Sequence, residues 1–388
     1  MPRNRRQKNV ALLIESSNRY ARELLHGIHS FVRERFSWSI RLTEQGRGQL
    51  PFTWLKDWSG DGIIARIETS EIADAVRAKN IPTVNVSATQ LMPECASVIS
   101  DSRLATQLAV EHLMDRGLRH MAFCGDARFA WSATHSANFE EHVSRAGRSC
   151  SVFPASLNDA RHPERERGRL ADWLRQLPKP VGLMACYDVR AQQLLALCRE
   201  IGLQVPEQVA VIGWHNDELL CELCDPPLTS VIPNARRAGY EAAVILDDLI
   251  AGRYIAPEAR VIAPLGVATR QSTDVVAVNE PHVAAAVRFI RLHACDGIAV
   301  GDVVKAAATS RTLLERSYKK LLGSTIHDDI LNTRIERVKQ LLSETDLSLR
   351  VIAERTGFEY PEYLSVAFRK RTGISAKDFR QEARGGSF

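Results

Sequence analysis

Two short helices joined by a tight turn are indicated by one stretch near the C-terminus, Leu349-Arg-Val-Ile-Ala-Glu-Arg-Thr-Gly-Phe-Glu-Tyr-Pro-Glu-Tyr-Leu-Ser-Val-Ala-Phe-Arg-Lys-Arg-Thr-Gly373. The first helix, over residues 350–356, ends at Gly357, and glycine permits a tight turn there. The second helix begins near Glu359, and its apolar residues Leu364 and Phe368 lie four apart, so they share one face. This pattern predicts a helix-turn-helix, in which the second helix enters the major groove of DNA.

A second copy of the pattern occurs about fifty residues earlier, in residues 302–323. Its first helix, over residues 303–308, ends at Ala308, and its second helix begins near Ser310. The matching residues are Leu314, Tyr318, Lys319, Lys320 and Gly323 in the earlier copy and Leu364, Phe368, Arg369, Lys370 and Gly373 in the later one. An amphipathic pattern from Ile330 to Leu342 connects the copies. One copy alone would be an ordinary helical hairpin, but two in register predict an all-α domain with two helix-turn-helix motifs over residues 281–385.

The outward faces of the second helices carry the candidate contacts to double-stranded DNA. These residues are Ser310, Arg311, Thr312, Glu315, Arg316, Lys319 and Lys320 in the first copy, and Tyr360, Pro361, Glu362, Ser365, Arg369, Lys370 and Arg371 in the second. Arg316 is the predicted base reader. The cationic residues at the helix ends are better placed for phosphates than for bases; they are Lys319, Lys320, Arg369, Lys370 and Arg371.

The formal net charge of +5 belongs entirely to this C-terminal part. Residues 281–388 contain 18 lysine and arginine residues against 13 acidic residues, whereas residues 1–280 contain 33 of each sign. A basic block on a neutral body is typical of a polyanion-binding module attached to another domain. A modest cationic excess is also common on solvated surfaces, so the charge only supports the helical motifs.

Residues 10–275 show a different pattern, in which short apolar strands alternate with longer amphipathic helices. Eleven candidate strands cover residues 10–15, 39–43, 61–67, 82–87, 97–100, 120–125, 150–154, 181–187, 209–214, 229–232 and 265–270. Runs such as Val209-Ala-Val-Ile212 are continuously apolar, as parallel strands buried on both faces require. Eleven strands are more than a single doubly wound sheet usually contains. Their number therefore predicts an α/β domain of two lobes with a cleft between them.

Polar residues follow several of these strands, where parallel α/β folds bind their ligands. They are Ser16, Ser17, Asn18, Asp101, Asp188, His215 and Asn216. Each of the serine, asparagine and aspartate residues has an alternative interpretation as a helix cap. Their recurrence at several strand ends favours a cleft that binds a small polar ligand.

An enzyme of the α/β class remains a rival hypothesis, for example a sugar-processing enzyme with a helical accessory domain. Against it, the sequence has no Gly-x-Gly-x-x-Gly after a strand, no Walker-type loop, no Gly-x-Ser-x-Gly elbow and no His-Glu-x-x-His helix. We therefore expect no catalytic residues and no cofactor.

The cysteines and the N-terminus favour a cytoplasmic protein. The eight cysteines are scattered, so a disulfide framework is not expected. Cys221 and Cys224 have the spacing of a metal or redox motif and lie near His215, but structural thiols are the alternative and no metal site is predicted. No stretch is apolar enough to span a membrane. Residues 1–9 are interpreted as a basic tail, since the apolar run after them is too short for a secretion signal.

The stretch from Val351 to Arg380 resembles the C-terminal signature of AraC/XylS-type transcription regulators. It departs from that signature at Ser375-Ala376, where a Thr-Pro pair is usual. Residues 10–273 resemble the periplasmic-binding-protein-like sensor of LacI-type regulators; the stretches that carry this are Val110-Glu-His-Leu113, Val209-Ala-Val-Ile-Gly213 and Asp225-Pro-Pro-Leu-Thr-Ser-Val231. Nearly the whole chain resembles sugar-operon regulators in which such a sensor is fused to an AraC-type unit. The stretch from Phe289 to Ile298 is a close match to these regulators.

This resemblance implies a homodimeric activator of a sugar-catabolic operon that contacts RNA polymerase and senses D-xylose between its lobes. It also adds Trp131 and His135 to the candidate ligand residues. Two positions depart from the family: His215 stands where an aspartate usually clamps sugar hydroxyls, and His135 replaces an arginine that faces the ligand. A regulator with a changed or degenerate effector site, one that binds another small molecule or none, therefore remains the alternative.

Overall fold

A computed structural model describes residues 7–35, 38–43, 46, 53–89, 91–274, 280–345 and 347–385. The chain divides into two compact units, an N-terminal unit of residues 1–275 and a C-terminal unit of residues 276–388. The strands of the N-terminal unit are β1 (Lys8–Leu13), β2 (Trp38–Leu42), β3 (Gly62–Ala65), β4 (Thr83–Asn85), β5 (Ala96–Ser100), β6 (His120–Cys124), β7 (Ser149–Val152), β8 (Val181–Ala185), β9 (Val209–Trp214), β10 (Thr229–Ile232), β11 (Ala259–Ile262) and β12 (Gly266–Ala268).

Helices follow most of these strands. In the N-terminal unit they are α1 (Arg19–Arg35), α2 (Ser70–Arg77), α3 (Ser102–Met114), α4 (Ala130–Arg145), α5 (Leu157–Ala160), α6 (Pro163–Gln176), α7 (Asp188–Glu200), α8 (Glu218–Leu223) and α9 (Ala235–Ile250), with short 3₁₀ turns at Thr53–Leu55 and Gln271–Thr273.

The strands form two sheets, which confirms the predicted two-lobed α/β architecture. The first lobe is built on the order β11-β5-β4-β3-β1-β2 and the second on β12-β10-β9-β8-β6-β7. The pairings are parallel, with Val10 opposite Gly62 for example, except that β12 runs antiparallel to β10. Separate apolar clusters cover the two faces of each sheet. The central parallel strands are therefore buried on both faces, which explains their continuous apolar sequences.

The chain passes three times between the lobes: from β5 to α3, from β10 to α9, and from β11 to β12. Because these three connections are short, few residues need to change conformation when the lobes move. We therefore expect the connections to act as a hinge beside the cleft.

Helices α1 and α9 cover one face of the first sheet and approach each other closely. A Cβ atom built on Gly239 would overlap the carbonyl oxygen of Leu24, and one built on Gly27 would overlap the carbonyl oxygen of Arg236. Both glycines are buried in the helix contact. Their missing side chains therefore let the two helix backbones meet.

The first sheet differs from the sequence prediction at two strands. Strand β1 begins at Lys8, so the predicted tail of residues 1–9 includes the first two residues of the sheet. Strand β11 was not predicted, because its residues are largely exposed and prolines occur on both sides of it. It pairs with β5 over four residues, from Ala259 opposite Ser97 onward.

The C-terminal unit is helical throughout its described part. Its helices are α10 (Pro281–His293), α11 (Val300–Ala306), α12 (Arg311–Leu322), α13 (Ile326–Glu344), α14 (Leu349–Arg355), α15 (Pro361–Thr372) and α16 (Ala376–Gly385), with a 3₁₀ turn at Ala294–Asp296. Two apolar cores lie along α13: Ile330 packs in the core with α11 and α12, and Val338 packs in the core with α14 and α15.

The two helical pairs α11/α12 and α14/α15 confirm the predicted pair of helix-turn-helix motifs. Their turns differ slightly, since Ala308 and Gly357 take left-handed conformations with φ of 48° and 72°. One residue separates Ala308 from the N-cap of α12 at Ser310, whereas two separate Gly357 from the N-cap of α15 at Tyr360. The second turn is therefore one residue longer.

Candidate functional site

A small cavity, partly open to solvent, lies between the two lobes of the N-terminal unit. Its walls are formed by Tyr20, Arg66, Val86, Ser87, Ala88 and Ser100 from the first lobe and by Trp131, His135, Trp214 and His215 from the second. The cavity volume is about 40 Å³. This space holds a few water molecules and is well below the roughly 300 Å³ of a typical ligand pocket.

Aromatic rings fill much of the space between the lobes. The rings of His135 and Trp214 stack with their centroids 4.1 Å apart, and Trp131 lies 5.0 Å from His135. Across the cleft, the ring of Tyr20 lies 5.0 Å from that of His215. The backbone at His215 is held at a φ of 108°, which non-glycine residues rarely adopt and which often marks a functional position.

Two buried ring nitrogens in this wall have no hydrogen-bond partner, Nδ1 of His135 and Nε1 of Trp214. The side chains are 6% and 2% exposed. Burial lowers the pKa of His135 to about 3, so its imidazole is neutral near pH 7. Because the ring also bonds to the Cys186 backbone, Nδ1 is left as an acceptor, while the Trp214 indole offers an N–H donor.

A buried ionic cluster forms the first-lobe side of the cavity. The guanidinium of Arg66 bonds to the carboxylates of Glu15 and Glu68, and these charges raise its pKa despite burial. Its Nε is buried without a partner. The hydroxyl of Tyr20 lies 3.1 Å from that of Ser100 in the same wall. Two carboxylates against one guanidinium make this wall unfavourable for an anionic ligand.

Several predicted ligand residues in the first lobe are helix caps or lie away from the cavity. Oδ1 of Asn18 accepts a bond from the Ala21 amide at 3.0 Å, and Oδ1 of Asp101 accepts one from the Leu104 amide at 2.8 Å. The carbonyl of Ser16 accepts a bond from Arg22, and Ser17 is exposed. The capping interpretation therefore applies to Asn18 and Asp101.

Asp188 and Asn216 lie behind the cavity wall rather than in it. Asp188 accepts bonds from the Ser230 hydroxyl at 2.6 Å and from the Asp217 amide at 2.8 Å. Burial raises the pKa of Asp188 to about 7. The Asn216 amide donates to the Ser230 hydroxyl, and its side-chain oxygen accepts a bond from Arg270. Of the residues predicted from the sequence, Trp131, His135 and His215 reach the cavity.

Five further polar or aromatic residues line the cavity and were not predicted from the sequence: Tyr20, Arg66, Ser87, Ser100 and Trp214. A usable signal existed for two of them, because Arg66 directly follows β3 and Ser87 lies two residues beyond β4. The rule that selected Asn18 and Asp101 would have selected these as well.

The cysteine pair lies in the second lobe. Cys221 and Cys224 are both buried, and burial raises the pKa of each thiol, to about 11 for Cys224. Among the residues that the structure describes, no group of three or more histidine, cysteine or acidic residues is arranged to hold a metal ion. Likewise, no helix in the described ranges is long and apolar enough to cross a membrane.

In the C-terminal unit, α12 and α15 present matching outward faces. Leu314 and Tyr318 of α12 are buried, as are Leu364 and Phe368 of α15. The exposed predicted contacts are Arg311, Thr312, Glu315, Arg316, Lys319 and Lys320 on α12, and Tyr360, Glu362, Arg369, Lys370 and Arg371 on or next to α15. Val366 is 66% exposed on the same face and was not among the predicted contacts.

Some predicted DNA contacts have structural partners. Ser310 caps α12 by accepting a bond from the Leu313 amide, and Arg311 pairs with Glu315 at 2.9 Å. Pro361 occupies the first turn of α15, and its carbonyl accepts a bond from the Ser365 hydroxyl. The guanidinium of Arg371 pairs with Asp328 on α13.

Comparisons with known proteins identify the family. A XylR N-terminal domain matches residues 9–99, a periplasmic binding protein-like domain matches residues 110–273, and a helix-turn-helix domain matches residues 303–382. The xylose operon regulatory protein of Escherichia coli (strain K12) is 30% identical over 383 residues, which cover 97% of either chain. The chain belongs to the xylose operon regulatory protein family. The relative from Haemophilus influenzae is also 30% identical over 383 residues, covering 96% of this chain and 97% of its own.

Solved structures agree with this family. The structure of the xylose-binding transcription activator XylR is 29% identical, with a TM-score of 0.81 over 97% of this chain and 98% of that one. The lac repressor dimer bound to operator and anti-inducer is 16% identical, with a TM-score of 0.54 over 69% of this chain and 95% of that one, and shows the sensor fold alone.

Family membership decides the class of protein. The chain is a helix-turn-helix, DNA-binding transcription regulator similar to the sugar-responsive regulators of xylose operons, and it has a LacI-type sensor fold. The rival hypothesis of an α/β enzyme is thereby wrong, since the relatives are transcription regulators.

Proposed function

We propose that the chain controls a sugar-catabolic operon and that a small neutral sugar, D-xylose first among them, binds between its lobes. The observation that carries this proposal is the set of unpartnered buried nitrogens around one cavity: Nδ1 of His135, Nε1 of Trp214 and Nε of Arg66. One is an acceptor and two are donors. A hydroxyl both donates and accepts, so the hydroxyl groups of a sugar bound among these residues are chemically suited to pair with all three atoms.

The surrounding wall supports a neutral ligand with an apolar face. The rings of Trp131 and Tyr20 offer flat apolar surface for the C–H groups of a sugar. Arg66 attracts an anion only weakly, because the carboxylates of Glu15 and Glu68 already neutralise its guanidinium.

A sugar fits this site only when the lobes part or the stacked rings rotate, since the cavity volume is about 40 Å³. Such a ligand changes DNA binding through its different affinity for the open and closed arrangements. In the same proposal, the effector-binding domain extends to residue 275 and residues 281–385 are the DNA-binding domain. The protein acts in the cytoplasm as a homodimeric activator that contacts RNA polymerase.

Sugar binding is tested by calorimetric titration of the full-length protein. D-xylose, L-arabinose, D-ribose, D-glucose and the anion D-xylonate form the panel. We expect heat with D-xylose and none with D-xylonate. His135→Phe keeps a buried ring but removes the Nδ1 acceptor, and its affinity is expected to fall about fivefold, as for one lost hydrogen bond. His26→Phe, on the exposed side of α1, is the matched control and should bind like the wild type.

Silence across this panel, with DNA binding intact, would refute the sugar site. It would favour the alternative of a regulator whose effector site has changed. The departures at His135 and His215 from the family pattern support that alternative.

Contacts to DNA are tested by comparing Arg316→Ala with Lys319→Ala. Both side chains are exposed on α12. Losing a bidentate arginine contact should relax base preference at one position by about 1–3 kcal/mol. Losing a phosphate contact should instead weaken binding to all duplexes and flatten the slope of log K against log salt by about one unit. Fluorescence anisotropy at several salt concentrations distinguishes the two, and unchanged binding in both variants would contradict this placement of α12.

A further inference from the structure

The outward face of α15 has an apolar side chain at its centre. Leu364, Ala367 and Phe368 are buried against the second apolar core, at 0%, 5% and 0% exposure. Val366 lies on the opposite side of the helix and is 66% exposed. Exposed valines are ordinary when they lie singly on a surface. This one lies between Glu362 and Arg369, each about one turn away, on the face proposed to contact DNA.

The corresponding position of α12 holds a different chemical group. Arg316 lies fifty residues earlier, two residues after the buried Leu314, as Val366 lies two residues after the buried Leu364. The buried faces of the two helices are equivalent, so the central outward positions are equivalent too. One recognition helix presents a guanidinium there, and the other presents two methyl groups.

These two groups recognise different features of the major groove. A guanidinium bonds to O6 and N7 of guanine, whereas an apolar side chain packs against the C5-methyl group of thymine. The cationic residues that follow on α15, Arg369 and Lys370, are exposed and placed to hold the helix on the phosphate backbone. A phosphate contact next to Val366 brings its methyl groups toward the base edges.

We propose that Val366 is a specificity-determining residue that reads a thymine methyl group, so that the two recognition helices select different bases. The proposal rests on the proposed placement of α12 and α15 in the major groove. Contact between the Val366 methyl groups and a thymine methyl buries apolar surface from both partners, which is favourable by about fourfold in affinity per methyl-sized group.

The test uses the full-length protein and a duplex recovered by selection from genomic DNA. Each thymine is replaced in turn by deoxyuridine, which lacks only the C5-methyl group. For the wild type, one deoxyuridine position per binding site should weaken binding about fourfold. Val366→Ser removes both methyl groups at similar helix propensity. It should bind the thymine and deoxyuridine duplexes equally well.

Leu321→Ser is the matched control, because Leu321 is 46% exposed at the end of α12, directly before its last residue. This variant should keep the fourfold preference for thymine. If no deoxyuridine position weakens wild-type binding, or if Val366→Ser keeps the preference, Val366 does not read thymine. Failure of the full-length protein to bind any selected duplex would overturn the proposed function and this reading together, whereas intact, Arg316-dependent binding without a deoxyuridine effect overturns this reading alone.

Discussion

Replacing Asp188 by asparagine is expected to make the N-terminal unit more stable than the wild type, by an amount that grows with pH. The difference in the free energy of unfolding should increase by about 1.4 kcal/mol per pH unit between pH 4 and pH 7, about 4 kcal/mol in total, and remain constant above pH 7. Asp188 is 2% exposed at the start of α7. This is the largest effect that we predict.

The sign follows from the proton count of the carboxyl group. Burial raises the pKa of Asp188 in the folded protein to about 7, from an ordinary value of 3.8. Between these values the folded wild type holds one proton more than the unfolded chain, so its stability falls as pH rises. The asparagine variant lacks this titration. Its amide fits the site, since the nitrogen is able to donate to the Ser230 hydroxyl while the oxygen accepts from the Asp217 amide.

Urea unfolding of both proteins from pH 4 to pH 8 measures this difference. The other titrating groups are common to both proteins, so subtraction isolates Asp188. Asp172→Asn is the matched control, because the Asp172 side chain is 70% exposed on α6 and pairs with Arg175 one turn away. A constant difference between wild type and Asp188→Asn at every pH would contradict the raised pKa.

Replacing Gly239 by alanine is expected to destabilise the N-terminal unit by about 3 kcal/mol, the upper end of the usual cost of overpacking a core. The new Cβ atom would overlap the carbonyl oxygen of Leu24 and lie 2.8 Å from its carbonyl carbon. Both atoms belong to the backbone of α1, so no side chain is able to move aside. Helices α1 and α9 would have to separate, which exposes the apolar cluster between them.

Gly168→Ala is the control for this substitution. Gly168 also lies inside a helix, α6, but a Cβ atom there would meet nothing within 4 Å. That variant should be more stable than the wild type by about 0.5–1 kcal/mol, because alanine is the better helix former. Urea unfolding followed by circular dichroism compares the two. Equal stability of both variants would show that α1 and α9 are not in backbone contact at Gly239.

The fold was predictable where a local pattern determines the structure. Strand β9 spans residues 209–214, the same range that its apolar run predicted. The paired helices α11/α12 and α14/α15 followed from repeated spacing of apolar residues around a small residue. Strand β11 was missed because an exposed edge strand has little apolar pattern, and its place depends on pairing with β5.

The cleft was less predictable, because its lining depends on which side chains the two lobes bring together. Asp188 carries the same local signal as His215, a polar residue after a strand, yet Asp188 faces Ser230 and His215 faces Tyr20. Arg66 was missed although it follows β3 directly. Capping and ligand binding use the same residue types at the same positions, so distances across the cleft are needed to separate them.

Selection of genomic DNA by the full-length protein tests most directly whether α12 and α15 read DNA. Fragments bound by the wild type are sequenced beside those bound by Arg316→Ala, each with and without D-xylose. We predict that the wild type enriches one motif with subsites about 10 base pairs apart, that xylose changes the enrichment, and that Arg316→Ala loses the preference at one base. Bound fragments that share no motif, at any xylose concentration, would contradict sequence-specific binding by these two helices.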